Sequence, residues 1–118
     1  MAGIAHILEI IYEYFYFDIY QNISYDGIEM SWTVFFSGKA EKKLRGLREA
    51  EQRKARALAS AIELMGPVQG GWPHYSKLGK DEHHCHLSYR YVMVWRVVDQ
   101  KTKVVEITYV GSREKAPY

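Results

Sequence analysis

HHCHLSYRYVMVW, residues 83–95, decides how this chain folds, because one turn sets the direction of every side chain in it. Successive side chains of a strand face opposite ways, so His84 and His86 share one face and Cys85 and Leu87 the other. A two-residue turn at Ser88-Tyr89 pairs Leu87 with Arg90. It sets both imidazoles among Tyr91, Met93 and Trp95, where an unpaired polar group costs about 1–3 kcal/mol. A three-residue turn over 87–89 pairs His86 with Arg90 instead. Cys85, Tyr91, Met93, Trp95 and Val97 then share the core face, and His84, His86, Arg90 and Arg96 the opposite one. Ser88-Tyr89 lacks the Asn-Gly or Gly signature of a two-residue loop, so the three-residue register is predicted.

Working outward, Arg90 to Val98 alternates little, which marks a central strand covered on both faces. Asp99 to Thr102 turns it into a strand over 103–110, with Val105, Ile107 and Tyr109 facing one way. Gly111 ends the sheet, and 112–118 form a tail. Upstream, His74 to Leu78 reads as a strand and Gly79 to Glu82 as a turn. Residues 68–73 are a Gly/Pro loop. Two helices precede it. Ala50, Ala57, Leu58, Ala61, Ile62 and Met65 form the apolar stripe of one, closed by Gly66-Pro67. Ala40, Leu44 and Leu47 form that of the other, with Lys42, Lys43 and Arg45 outside it. Trp32 to Phe36 is a β-branched and aromatic strand. The order is strand, helical hairpin, then a four-stranded antiparallel meander that completes a twisted sheet, an α+β domain over 31–118.

Residues 1–30 differ from this. They hold seven of the seventeen aromatics and five acids (Glu9, Glu13, Asp18, Asp26, Glu29) but no Lys or Arg. Two readings stand: an acidic aromatic extension that lies over a basic face, or a start at Met30. All 16 Lys and Arg and nine of the 14 acids lie in 31–118, a net charge of +7 that suits a polyanion. One Cys excludes an internal disulfide framework. No stretch reaches the ~18 uncharged apolar residues of a membrane span. A soluble, cytoplasmic protein without membrane contact is expected.

Two His and one or two Arg on one sheet face suit phosphoryl transfer from RNA. The ribose 2′-OH is the nucleophile, and the protein supplies a base, an acid and positive charge for the phosphorane. Histidine serves either proton role near neutral pH, and arginine offers a planar fork to phosphate oxygens. A polar strand face that only meets solvent is the plain alternative. HHCH also contains three potential metal ligands. Cys85 points away from the His pair, however, and Arg90 repels a cation, so neither metal nor other cofactor is expected. Cys85 reads as a small buried residue. The bases Arg48, Arg53, Lys54 and Arg56 on the second helix read as a solvated face, with RNA contact the alternative.

WTVFFSGKAEKKL at 32–44, Gly66-Pro67, YSKLG at 75–79, HHCHL at 83–87, RYVMVW at 90–95 and YVGSREKAPY at 109–118 together resemble the RelE/ParE superfamily of toxins from type II toxin–antitoxin systems. The likeness is nearer to RelE and HigB than to ParE. It covers 31–118, and the order and spacing of the motifs carry it. The resemblance implies a metal-independent mRNA endoribonuclease acting on ribosome-bound mRNA, with a cognate antitoxin, of helix-turn-helix type, encoded adjacently. Arg90 matches the Arg after the central turn, and Arg113 the Arg after the Val-Gly pair. Tyr118 lies near the C-terminal catalytic Tyr, with spacing shorter by one. His84 and His86 stand where RelE carries two lysines. The roles implied are Arg90 and Arg113 on the phosphorane, His84 or His86 as base, and the other His or Tyr118 at the leaving oxygen. Lys77, Lys80, Arg53, Lys54 and Arg56 then hold the RNA backbone. The alternatives are a ParE-like inhibitor of gyrase and a catalytically inactive module that binds RNA or antitoxin. Convergent His and Arg favour the nuclease.

Overall fold

Strands β3 (Glu82–His86) and β4 (Tyr91–Asp99) pair antiparallel, with His84 opposite Val94, Cys85 opposite Met93 and His86 opposite Val92. The computed structural model describes residues 31–118; the acidic extension and the alternative start at Met30 lie outside the described residues. The turn is longer than the three residues expected: β3 ends at His86 and β4 begins at Tyr91, so 87–90 join them. Leu87 N–H donates to the Tyr91 carbonyl at 2.8 Å and closes the turn, and His86 pairs with Val92 rather than Arg90. Leu87 lies outside the strand but is buried in the core, which holds the turn against the sheet and moves its closure to Tyr91. The register moves by two residues, an even number, and every side chain keeps its predicted face.

The remaining elements are β1 (Thr33–Phe36), α1 (Gly38–Arg45), α2 (Glu49–Met65), β2 (Ser76–Lys77), β5 (Val104–Ser112) and a 3₁₀ turn (Arg113–Lys115). The sheet runs β1-β5-β4-β3-β2. β1 is parallel to β5 and all other neighbours are antiparallel. The architecture is the α+β arrangement expected. β4 is central: Met93 and Trp95 are buried on the helix side and Val92 and Val94 on the other. Ser37 caps α1 by accepting the Ala40 N–H at 3.1 Å, which stops β1 and starts the helix. The core lies between the helices and one sheet face, where Leu44, Leu58 and Ile62 meet Cys85, Met93, Trp95, Val105 and Ile107. Among the described residues no helix is long and apolar enough to cross a membrane.

Three local expectations fail. Of the stripe expected on α2, Ala57, Leu58, Ala61 and Ile62 are buried, but its ends differ: Ala50 and Met65 are exposed, and Glu51 and Ala55 are buried instead. Glu51 joins the buried stripe with Oε1 bonded to Arg48 and, among the described residues, no partner for Oε2. β2 is two residues long because His74 has φ 54°, a left-handed conformation that no strand accommodates. β5 runs on to Ser112, and Thr108 is a bulge: Val94 pairs with Tyr109 but Trp95 with Ile107. Val105, Ile107 and Val110 therefore face the core, while Tyr109 turns to the other face and its hydroxyl donates to the Ser112 carbonyl at 2.7 Å.

Gly66 ends α2 at φ 93°, and a Cβ there meets Trp32 Nε1 at 3.0 Å. Gly66→Ala is expected to destabilise the fold by more than about 1 kcal/mol, since strain and overlap add. A lower urea midpoint with unchanged slope is the readout.

Candidate active site

β2 sets the geometry at the sheet edge. Ser76 pairs with His84 and Lys77 with His83, so Ser76 shares the side of His84 and His86, opposite the helices. Continuing that register past Ser76 puts His74 opposite His86, and the two rings lie 4.6 Å apart. Pro73 fixes the approach, its carbonyl accepting the His86 N–H at 3.0 Å. His84 is nearly buried. Its Nδ1 is 3.0 Å from Ser76 Oγ, and its ring lies 5.8 Å from His86 and 4.7 Å from Tyr118. The 3₁₀ turn brings in Arg113. Its N–H donates to the Arg90 carbonyl at 2.8 Å, and its guanidinium carbon sits 4.7 Å over the Tyr89 ring.

Burial lowers the proton affinity of His86, and the adjacent His74, His84 and Arg113 lower it further, which favours a neutral imidazole. Burial raises the Tyr118 hydroxyl above the ordinary phenol value, with Tyr109 adding to this and Arg113 opposing it. On the helix side, His83 stacks on Trp95 at 6.0 Å and on Tyr75 at 5.9 Å, and its Nδ1 is 2.7 Å from the Tyr75 hydroxyl. Burial and then Lys77 lower its proton affinity. Cys85 is fully buried and its thiol is pushed far up by burial, so no thiolate nucleophile forms there. Among the described residues no group of three or more His, Cys, Asp or Glu is arranged to hold a metal ion.

Solved structures provide the comparison. A RelE–RelB complex from Pyrococcus horikoshii matches with TM-score 0.59 and 20% identity, over 74% of this chain and 100% of that one. Free E. coli RelE, as a mutant, matches with TM-score 0.58 and 20% identity, over 74% and 88%. The fold is that of the RelE toxins. The YoeB dimer of Staphylococcus aureus has this fold too, with TM-score 0.57 and 16% identity, over 70% of this chain and 98% of that one. No protein-family model and no curated protein matches the chain.

On this RelE fold, the sequence-derived candidates divide. His84, His86, Arg113 and Tyr118 come together on the face away from the helices, and Arg90 joins through its backbone, its side chain exposed on the turn. Arg96 shares that face but is held by Glu106 at 2.9 Å. Lys77 and Lys80 are exposed at the edge, with Lys77 on the side of His83. Arg53, Lys54 and Arg56 lie on α2, in the helix layer across the sheet from His84 and His86. Three participants were missed: His74, Ser76 and Tyr89. The register of β2 on β3 was the signal for the first two, because one turn fixes which residues oppose His84 and His86.

Both lowered imidazoles make stability depend on pH. A His with lower proton affinity in the folded state leaves the unfolded chain binding more protons. Stability from His83 and His86 is therefore complete above their ordinary value of 6.5 and is lost as pH falls below it towards their folded values. The urea midpoint is expected to be lower at pH 5 than at pH 7.5, and His83→Phe should reduce the difference.

Proposed function

We propose that this protein is the toxin of a type II toxin–antitoxin system and an endoribonuclease that cuts ribosome-bound mRNA. The supporting observation is the meeting of His86, His84, Arg113 and Tyr118 on one face of a RelE fold. In the reaction a strand histidine takes the 2′-OH proton, the 2′-oxygen bonds to phosphorus, and the bond to the 5′-oxygen breaks. A 2′,3′-cyclic phosphate and a 5′-hydroxyl result, with a second acid supplying the proton on the leaving oxygen. Arg113 and Arg90 carry the charge of the phosphorane.

A groove of about 870 Å³ runs between α1 and the end of β5, lined by Lys39, Lys42, Lys43 and Lys115. It reaches the segment that carries Arg113 and Tyr118, and it offers the RNA backbone a basic track. The Pyrococcus relative was solved with RelB, and we extend that partnership here: a cognate antitoxin of helix-turn-helix type, encoded adjacently, covers this surface in the resting state. Inducing the gene and mapping RNA ends tests the reading. Cuts within translated mRNA support it; intact mRNA with gyrase-dependent DNA breaks would establish the ParE-like alternative instead.

A further inference from the structure

We infer that His74 is the general acid of this site, giving its proton to the 5′-oxygen as His86 takes the proton of the 2′-OH. The inference rests on the nuclease reading above and narrows it to a pair of histidines. The base role falls to His86 because His84 is 8% exposed, bonded to Ser76 at Nδ1 and covered by Tyr118, whereas His86 is half-exposed. Tyr118 lies against His84 rather than His86, and His83 and Cys85 are on the helix side. His74 is exposed and 4.6 Å from His86.

Its backbone points the same way. A non-glycine residue at φ 54° is strained, and such strain persists where surrounding structure imposes it. Here the imposing contacts are Pro73 bonded to His86, Trp72 bonded to Gln69, and buried Gln69 bonded to the Gly66 carbonyl at 2.8 Å. The loop holds an exposed imidazole beside a half-exposed one. Two imidazoles this close can divide the proton-taking and proton-giving roles between them. The groups facing His86 are His74 from the loop, His84 from its own strand and Arg113 from the 3₁₀ turn, and all three oppose a proton on it. The balance is complete: one proton leaves the 2′-oxygen for His86, one passes from His74 to the 5′-oxygen, and no co-reactant is needed.

The test uses the full chain, programmed ribosomes and two mRNAs, one ordinary and one with sulfur in place of the 5′-bridging oxygen at the cut. A thiolate leaves without a proton. His74→Asn suits the left-handed backbone, because asparagine tolerates it, and has no proton to lend. Cutting of ordinary mRNA should fall about 10²–10⁴-fold in this variant and return to the wild-type rate on the sulfur substrate. His86→Asn should be impaired on both. Equal rates for His74→Asn and wild type on ordinary mRNA, or equal impairment on both substrates, would overturn the assignment. Failure of the wild-type chain to cut either mRNA would reject the nuclease reading itself.

Discussion

Replacing Arg90 and Arg113 together by alanine is expected to abolish growth arrest on induction while leaving the protein folded. Arg113 stands 4.7 Å over Tyr89 and faces His86, so its charge is already at the site. Arg90 is held beside it by a backbone bond that neither substitution removes. Loss of one preorganised donor to a developing oxyanion costs about 10²–10³-fold in rate, and two should reduce cutting below what halts growth. Lysine at either position should rescue only part, because a single ammonium lacks the planar fork. Both side chains lie outside the buried core, so the thermal midpoint should stay near that of wild type. Full toxicity of the double variant would refute the assignment of these two arginines.

Trp95→Ala is the substitution expected to damage the fold most. Trp95 is fully buried in the central strand, stacks on His83, and donates through Nε1 to the Pro67 carbonyl at 3.0 Å. Truncating a buried Trp costs about 3–5 kcal/mol, a large part of the ~5–15 kcal/mol that holds a domain together. The effect reaches the site as well, because Pro67 begins the loop that ends at His74. Trp95→Phe separates the two: it keeps most of the packing and leaves the carbonyl unbonded, so it should cost less in stability than alanine. Urea denaturation measures both. A cost below about 1 kcal/mol for Trp95→Ala would mean that this residue does not anchor the core.

The order of elements was legible because Gly66-Pro67 and the turn near Gly79 punctuate segments with distinct periodicities. The division of residues 83–95 between two faces was legible as well, because parity depends only on whether the turn shifts the register by an odd or an even number. The turn's extent was not, since nothing in Leu87 to Arg90 marks where pairing stops, and Leu87 is buried although it lies outside the strand. The α2 stripe was misjudged at its ends because Glu51 counts as polar until its bond to Arg48 is seen. His74 escaped for a related reason: an apparently extended stretch gave no sign of a left-handed residue. The layer of the basic residues on α2 was not legible, because charge in a sequence does not state one.

The bulge at Thr108 has a consequence for the chemistry. Face assignment along a strand is a parity, and one extra residue reverses it for everything downstream. Before Thr108, odd-numbered residues of β5 belong to the core; after it they belong with His84 and His86, and Arg113 is odd. Without the extra residue the pairing would set Arg90 against Ser112 and direct Arg113 towards the helices. The placement of the guanidinium is thus determined five residues upstream, by a threonine that need not touch the substrate.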